Sequence, residues 1–544
     1  MFVRIYLKNL LTILFNIRYY WRIILLGILA ISVICYGLGN ESLRNWDEAI
    51  YAQISKELIF NNNYLTLHWN YLPWFEKPPL LMWITALFFQ CFGVSEFWAR
   101  AASAFSGVGL IFIVFFVGKR IYNRNIGFIA SLILLFSFAF INRARMGTTD
   151  TMLCFLIFVG VYGYLRLTTK DQKWWYLIWM SFALAFMLKS WAIIIMLPIF
   201  ALTLFFDNRV YDTLHSKHFW LGILFACLLV FPWHIIMIAK YGQEFIKDYF
   251  LYHAVMRTIK AIDMHRGGTF FYISALKRDF SPWIYLAPFA IALSIKENIT
   301  GQARSRILLL LIVLVMGFYS IIVKTKVAWY IHPVYPALAI LIAALLEQAF
   351  QSHKSLEFGA ILFATLISLF ISPNILILFI IIGVIFIVSP IKNLIKRNAF
   401  QTSVIVMFMF MLSISASNTI WRNSRMGKES IYARRYSAVA QIAKIAGKTN
   451  PNPQTAIICA EFNEHLDKGS PIYRPTALFY SNRPIQVAYN LGQLKEIVGK
   501  NKEREIIMDE GFRQLLLPDY EIRISAKVGE FIYAMIRSRQ KPLK

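Results

Sequence analysis

Residues 97–120 read FWARAASAFSGVGLIFIVFFVGKR. Beyond Arg100 the run is apolar or small through Gly118, long enough to cross a hydrocarbon core of about 30 Å, and it stops on Lys119, Arg120 and Arg124. Basic residues in short loops are retained in the cytoplasm, so the stretch predicts a membrane span whose C-terminal end faces inside. Just upstream, 79–93 is apolar but only 15 residues long, which places it in the outer interface or against the bundle. The polar stretch 40–78 before it should then emerge outside. A first span over 21–39 is preceded by Arg4, Lys8 and Arg18, carries Arg22 at its very start and has no small-residue cleavage site after it, so it reads as an uncleaved anchor.

Downstream, spans near 126–141, 151–167, 174–188, 192–206, 219–238, 282–295, 307–323, 329–346, 356–371, 374–388 and 402–416 alternate sides, for a total of thirteen. Loops assigned inside carry Arg166, Lys170 and Lys173, Arg209 and Lys217, Lys296, Arg304 and Arg306, Lys354, and Lys392, Lys396 and Arg397. This is the distribution that the positive-inside bias requires. An odd count puts 421–544 outside, where a helical pattern at 430–447 and strand-like runs at 455–459, 485–488 and 505–508 predict a small α/β domain. The expectation is an α-helical polytopic membrane protein with about 13 transmembrane helices over 1–420 and a C-terminal extracytoplasmic α/β domain over 421–544.

The whole chain agrees. Of 544 residues 58% are hydrophobic and 16% charged, against about 25% charged in soluble chains, which excludes a soluble enzyme. The mean hydropathy is +0.55. The 56 Lys and Arg exceed the 29 Asp and Glu, for +27, yet much of the excess sits in loops and reports topology rather than nucleic-acid binding. Four of the five cysteines (Cys35, Cys91, Cys154, Cys227) lie in or beside apolar runs and Cys459 stands alone, so neither a disulfide framework nor a zinc spacing exists.

The outer loops 40–96, 142–150, 239–281 and 324–329 collect ionisable residues that hydropathy alone does not explain. Asp47 and Glu48 open an amphipathic stretch at 50–60; Glu76 and Lys77 abut Pro78; Arg143 and Arg145 precede Asp150; His253, Arg257, His265 and Arg266 share one loop. Lys324 and Lys326 run into Trp329-Tyr330 and His332-Pro333. Taken singly, Asp47 and Asp150 read equally well as helix caps, and Glu76–Lys77 as an interfacial ion pair. Snorkelling explains scattered Lys and Arg but not two histidines among them. Taken together on one side, the carboxylates and cations suit an anionic substrate, and a lipid phosphate could keep its tail in the bilayer beside Trp69, Trp74 and Trp83.

The ordered set Asp47-Glu48, Phe75-Glu76-Lys77-Pro78, Thr149-Asp150-Thr151, His253…Arg257…His265-Arg266-Gly267, then Trp329-Tyr330…Pro333…Tyr335-Pro336, over residues 40–345, resembles the bacterial ArnT-like glycosyltransferases. These stand with the protein O-mannosyltransferases in the GT-C class. The resemblance implies transfer of a sugar from a polyprenyl (undecaprenyl) phosphate carrier, with inversion, at the outer face of a bacterial inner membrane. In ArnT itself the sugar is 4-amino-4-deoxy-L-arabinose and the acceptor lipid A; another glycan or a protein acceptor is equally compatible. By the same resemblance Asp47 and Asp150 are the catalytic acids, Lys77, Arg257 and Tyr330 hold the donor phosphate, and Glu76 and His253 hold a divalent metal ion. Three residues after Asp47, where the family often carries Arg, stands Ile50. The alternative from another class is a flippase for a polyprenyl-linked lipid, against which stands the gathering of charges in loops rather than mid-span.

Overall fold

The computed structural model describes residues 20–44, 46–256, 267–301, 305–352, 399–424, 431–452, 455–461, 474–499 and 503–539, with 258, 359, 361 and 362. Among them, four helices are long and apolar enough to cross a membrane, and a bent pair adds a fifth. The decisive run forms α4, preceded in chain order by α1 (Tyr20–Cys35), α2 (Asp47–Phe60) and α3 (Leu80–Phe92). Helix α4 spans Glu96–Ile121; Ser95 caps it by accepting from the Trp98 N–H, and Lys119 and Arg120 lie in its last turn, where cations suit the helix dipole. The short apolar run is α3, whose Leu81, Met82, Ala86 and Phe89 are buried against the bundle.

The expected single span at 126–141 is instead two helices, α5 (Arg124–Leu135) and α6 (Phe138–Ala144), bent by 69°. At the corner Ser137 takes an extended backbone and its hydroxyl donates to the Leu134 carbonyl, a local bond that competes with the helical ladder. Helix α7 (Thr149–Arg166) and α8 (Trp174–Lys189) follow as antiparallel neighbours. The predicted 219–238 span is part of α9 (Lys217–Phe245), and a π-helical segment Ile246–Met256 continues from it. Much of what reads as an outer loop from 239 onward is therefore helical. Helix α10 (Val334–Ser352) is apolar around its circumference through Leu346 because other elements surround it, and every residue from 334 to 346 is buried. The expected span at 374–388 lies outside the described residues, as does most of that at 356–371.

Helix α11 (Ala399–Ser424) leads to α12 (Ile431–Thr449) and a five-stranded sheet. Its strand order is β4-β3-β5-β7-β6 among β3 (Ile457–Ala460), β4 (Ile485–Ala488), β5 (Arg504–Asp509), β6 (Tyr520–Val528) and β7 (Phe531–Ser538), numbered after the small hairpin β1 (His68–Trp69) and β2 (Leu72–Pro73). Strand β3 runs parallel to β4 and β5, whereas β7 is antiparallel to β5 and β6. The strand-like runs coincide with β3, β4 and β5; β6, although its sequence YEIRISAKV alternates apolar and polar residues, lies outside those runs, as does β7.

This C-terminal unit packs onto α2. Ala49 and Ala52 share a buried cluster with Val439, Ala443, Leu478 and Phe479. Lys56 Nζ donates to the Phe479 carbonyl at 2.5 Å and lies 4.4 Å from the centre of its ring. Asn70 pairs reciprocally with the backbone of Ile485 at 2.9 Å, and the Leu43 N–H donates to Tyr480 Oη at 2.9 Å. The stretch predicted as amphipathic is consequently buried on its polar side as well, Gln53, Ser55, Lys56 and Glu57 included.

Burial raises the Glu57 carboxyl to about 7, although it accepts from Gln53 and from the backbone of Asn70 and Tyr71. The folded chain then holds this proton up to about pH 7, while the unfolded chain loses it near 4.5. As pH rises between these values the unfolded state gains, and stability falls. Replacing Glu57→Gln is expected to flatten that fall, so the melting temperature of the variant in detergent should climb relative to the native chain from pH 5 to 7; a constant difference would show that Glu57 does not titrate there.

Candidate active site

Glu48 organises the site. Its carboxylate accepts from Arg100 Nε at 2.8 Å and Nη2 at 3.1 Å, from the Arg44 N–H at 2.6 Å and from the Gly147 N–H at 2.9 Å. The Arg100 guanidinium beside it is the chief influence holding its carboxyl below the usual range against the cost of burial. One side chain thus ties three pieces together: the loop entering α2, helix α4 and the turn between α6 and α7. The turn comes close enough only because residue 147 is glycine, since a Cβ there would meet the Ala99 carbonyl oxygen at 2.6 Å.

The consequence is the placement of the two predicted acids. Asp47 is the first residue of α2, next to Glu48, and Trp46 rather than Asp47 stands at the cap. Asp150 lies in the first turn of α7, 4% exposed, and Thr148 holds the cap position. Neither acid is an N-cap residue. The Asp150 carboxylate instead takes a hydrogen-bonded ion pair from Lys189 and a second pair from Arg143 at 3.7 Å. Helix geometry prepares this: the N-terminus of α7 favours the anion, and the C-terminus of α8 favours the cation. The bend at Ser137 turns α6 so that Arg143 reaches the same place, where its guanidinium lies 3.8 Å from the centre of the Trp329 ring. Asp47 and Asp279 lie within electrostatic reach of that guanidinium.

Tyr330 adjoins Trp329 in the turn Ala328–Ile331, 5.0 Å from Tyr319 and 5.6 Å from Lys189 Nζ. The structure therefore gathers Asp47, Arg143, Asp150, Lys189, Trp329 and Tyr330 at one end of the bundle. This is also the end onto which the C-terminal unit packs, since Tyr480 Oη donates to Glu96 at the start of α4. Lys326 is committed elsewhere, donating to the Tyr319 and Ser320 carbonyls at 2.5 and 2.6 Å.

Glu76 and Lys77 follow Phe75, which is buried against Tyr241 and Phe245 of α9 with ring centres 4.9 and 5.5 Å apart. His253 lies in the π-helical segment, but its side chain is outside the described residues, as are Arg257, His265 and Arg266. Among the described residues no three His, Cys, Asp or Glu side chains gather as a metal-holding group, so a set containing Glu76 is not completed by them.

Lys189, Arg100 and Asp279 were not legible as site residues. Lys189 ends an apolar run and reads as an ordinary span terminus, and Arg100 pairs with an acid 52 positions away. A lysine closing one span directly before another apolar stretch is the signal that could have singled out Lys189.

The fold is similar to that of ArnT, and the chain resembles ArnT-like transferases in sequence. The family model described as dolichyl-phosphate-mannose-protein mannosyltransferase matches residues 76–236. The chain is 26% identical over 351 residues to the undecaprenyl phosphate-alpha-4-amino-4-deoxy-L-arabinose arabinosyl transferase of Shewanella sediminis, covering 63% of each chain. To the second such transferase of Proteus mirabilis it is 26% identical over 339 residues, covering 59% of this chain and 58% of the relative. These matches span less than two thirds of the relatives' length. The crystal structure of ArnT from Cupriavidus metallidurans bound to undecaprenyl phosphate superimposes with a TM-score of 0.71 at 18% identity, covering 95% of this chain and 98% of that one. The archaeal oligosaccharyltransferase AglB from Archaeoglobus fulgidus does so with a TM-score of 0.54 at 12% identity, over 97% and 75%. The resemblance read from the sequence is borne out, and the fold is that of ArnT.

Proposed function

We propose that the chain is an integral membrane glycosyltransferase that moves a sugar from a polyprenyl phosphate carrier to an acceptor. The observation that carries this reading is the convergence of Asp47 with the Asp150–Arg143–Lys189 ion cluster and Tyr330 at one end of an ArnT-like bundle. The relatives' names, as transferases acting from undecaprenyl phosphate, support glycosyl transfer over lipid flipping. In the proposed arrangement thirteen spans cross a bacterial inner membrane, and the site faces the periplasm with the C-terminal unit. The acceptor is lipid A or another surface glycan or protein, and the sugar is 4-amino-4-deoxy-L-arabinose or a relative of it.

The reaction is a single displacement at the anomeric carbon: the acceptor oxygen forms the new bond as the bond to the carrier phosphate breaks. The leaving phosphate gains charge, which Lys77, Arg257 and the Tyr330 hydroxyl stabilise. Asp47 takes the proton of a hydroxyl acceptor; a phosphate acceptor is already anionic, and there Asp47 positions it. Asp150 fixes Arg143 and Lys189 and so sets the field of the site. Glu76 and His253 would hold a divalent ion, and loss of activity on chelator dialysis of the purified protein, restored by adding the ion back, tests this.

The functional test is transfer by purified protein in lipid, from polyprenyl phosphate sugars of several kinds to lipid A or peptide; no product with any pair would overturn the reading. Lys77→Ala is expected to raise the KM for the carrier-linked donor about tenfold or more, as loss of a charged hydrogen bond does, with a smaller effect on the acceptor KM. An unchanged dependence on donor concentration would remove Lys77 from the phosphate site.

A further inference from the structure

Beside Asp150, three buried polar atoms have no hydrogen-bond partner among the described residues: Thr148 Oγ1, Thr151 Oγ1 and His332 Nε2. Their residues are 1%, 0% and 2% exposed. Thr148 stands at the cap of α7 without bonding it, and Thr151 follows Asp150 in the first turn. Cys154, one turn beyond Thr151, meets the His332 carbonyl with its thiol at 3.9 Å, which sets His332 against this end of α7. His332 also lies within electrostatic reach of Asp150, Arg143 and Lys189. A buried polar atom left unpaired destabilises a fold, and three at one helix end, two on residues flanking Asp150 in the chain and one on the residue packed against the next turn, mark a place where something else completes them.

The chemistry of the three atoms names its class. Hydroxyls donate and accept, and an imidazole nitrogen does either according to tautomer. Such neutral groups match the hydroxyl or amino substituents of a sugar ring, while the cations nearby match a phosphate. We propose that His332, Thr148 and Thr151 form a hydrogen-bonding subsite for the ring substituents of the donor sugar and set which sugar the protein accepts. The inference rests on the glycosyl-transfer reading above and goes beyond it by assigning sugar choice to particular residues.

The test uses the full-length protein in lipid with one fixed acceptor. Native chain, His332→Leu and the shape-conserving Thr151→Val are compared on polyprenyl phosphate donors bearing a pentose, a hexose, an amino sugar and the deoxy analogue of whichever is used best. Each variant is expected to lose about tenfold or more in kcat/KM on the preferred donor. The analogue lacking the matched substituent should be insensitive to the same substitution, and affinity for sugar-free undecaprenyl phosphate should not change. Unchanged donor ranking in both variants would overturn the proposal and assign the three atoms to water. Equal loss on all donors, deoxy analogue included, would overturn it too, by showing a general defect of position. Absence of transfer by the native chain with every donor is a different result: it removes the glycosyl-transfer reading itself, and the subsite with it. Thr151→Val carries the test alone should His332→Leu fail to fold.

Discussion

Asp47→Asn is expected to lower the turnover of sugar onto a hydroxyl acceptor by about 10²–10⁴-fold, the range over which a positioned general base acts. The substitution is nearly isosteric, and Asp47 is neither the cap of α2 nor a partner in the buried weld made by its neighbour Glu48, so folding and melting temperature should hold. Donor KM should move little, because the carrier phosphate is assigned to other groups. The acceptor supplies an internal control: a phosphate acceptor needs no proton removed, and with it the loss should shrink to the cost of positioning. Full activity of Asp47→Asn on a hydroxyl acceptor would sink the base role. Equal loss on hydroxyl and phosphate acceptors would leave Asp47 as a positioning group only.

Glu48→Ala is expected to cost about 3–5 kcal/mol of stability, since it strands a buried guanidinium. Arg100 is 4% exposed, and once Glu48 is gone its remaining hydrogen-bond partners among the described residues are the carbonyls of Leu38, Glu41 and Ser42. The orphaned N–H groups of Arg44 and Gly147 add to the loss. Replacing both partners, Glu48→Leu with Arg100→Met, should recover much of the melting temperature, because apolar groups of similar volume can replace a buried pair. Activity should not recover with it: the double variant keeps α2 and α4 packed but no longer pins the turn that leads to Asp150. Recovery of both would show that Glu48 serves stability alone.

The parts of the fold that were legible are those where one local signal decides. The run ending in Lys119-Arg120 is a helix at its predicted place, and Ile485–Ala488 is a strand to the residue. Asp47, Asp150 and Tyr330 could be named together because each stands in an ordered motif. What escaped depends on partners distant in the chain. The bend between α5 and α6 is invisible in hydropathy, which stays apolar through Phe136 and Ser137, yet it delivers Arg143 to the site. The polar face of α2 reads as solvated because nothing nearby in sequence shows that residues 423 positions on will cover Lys56.

That last separation has a consequence for biosynthesis. A nascent chain emerges N-terminus first, so α2 leaves the ribosome hundreds of residues before Phe479, Tyr480 and Ile485, to which its loop is bonded. Contacts of such long sequence separation form late. During that interval the helix bearing Asp47 has the Glu48 weld to the bundle but lacks its cover, with Lys56 and Glu57 open to water. Helix α2 is therefore covered only when the end of the chain docks, and a chain whose synthesis stops short leaves the helix bearing Asp47 with its polar face in water.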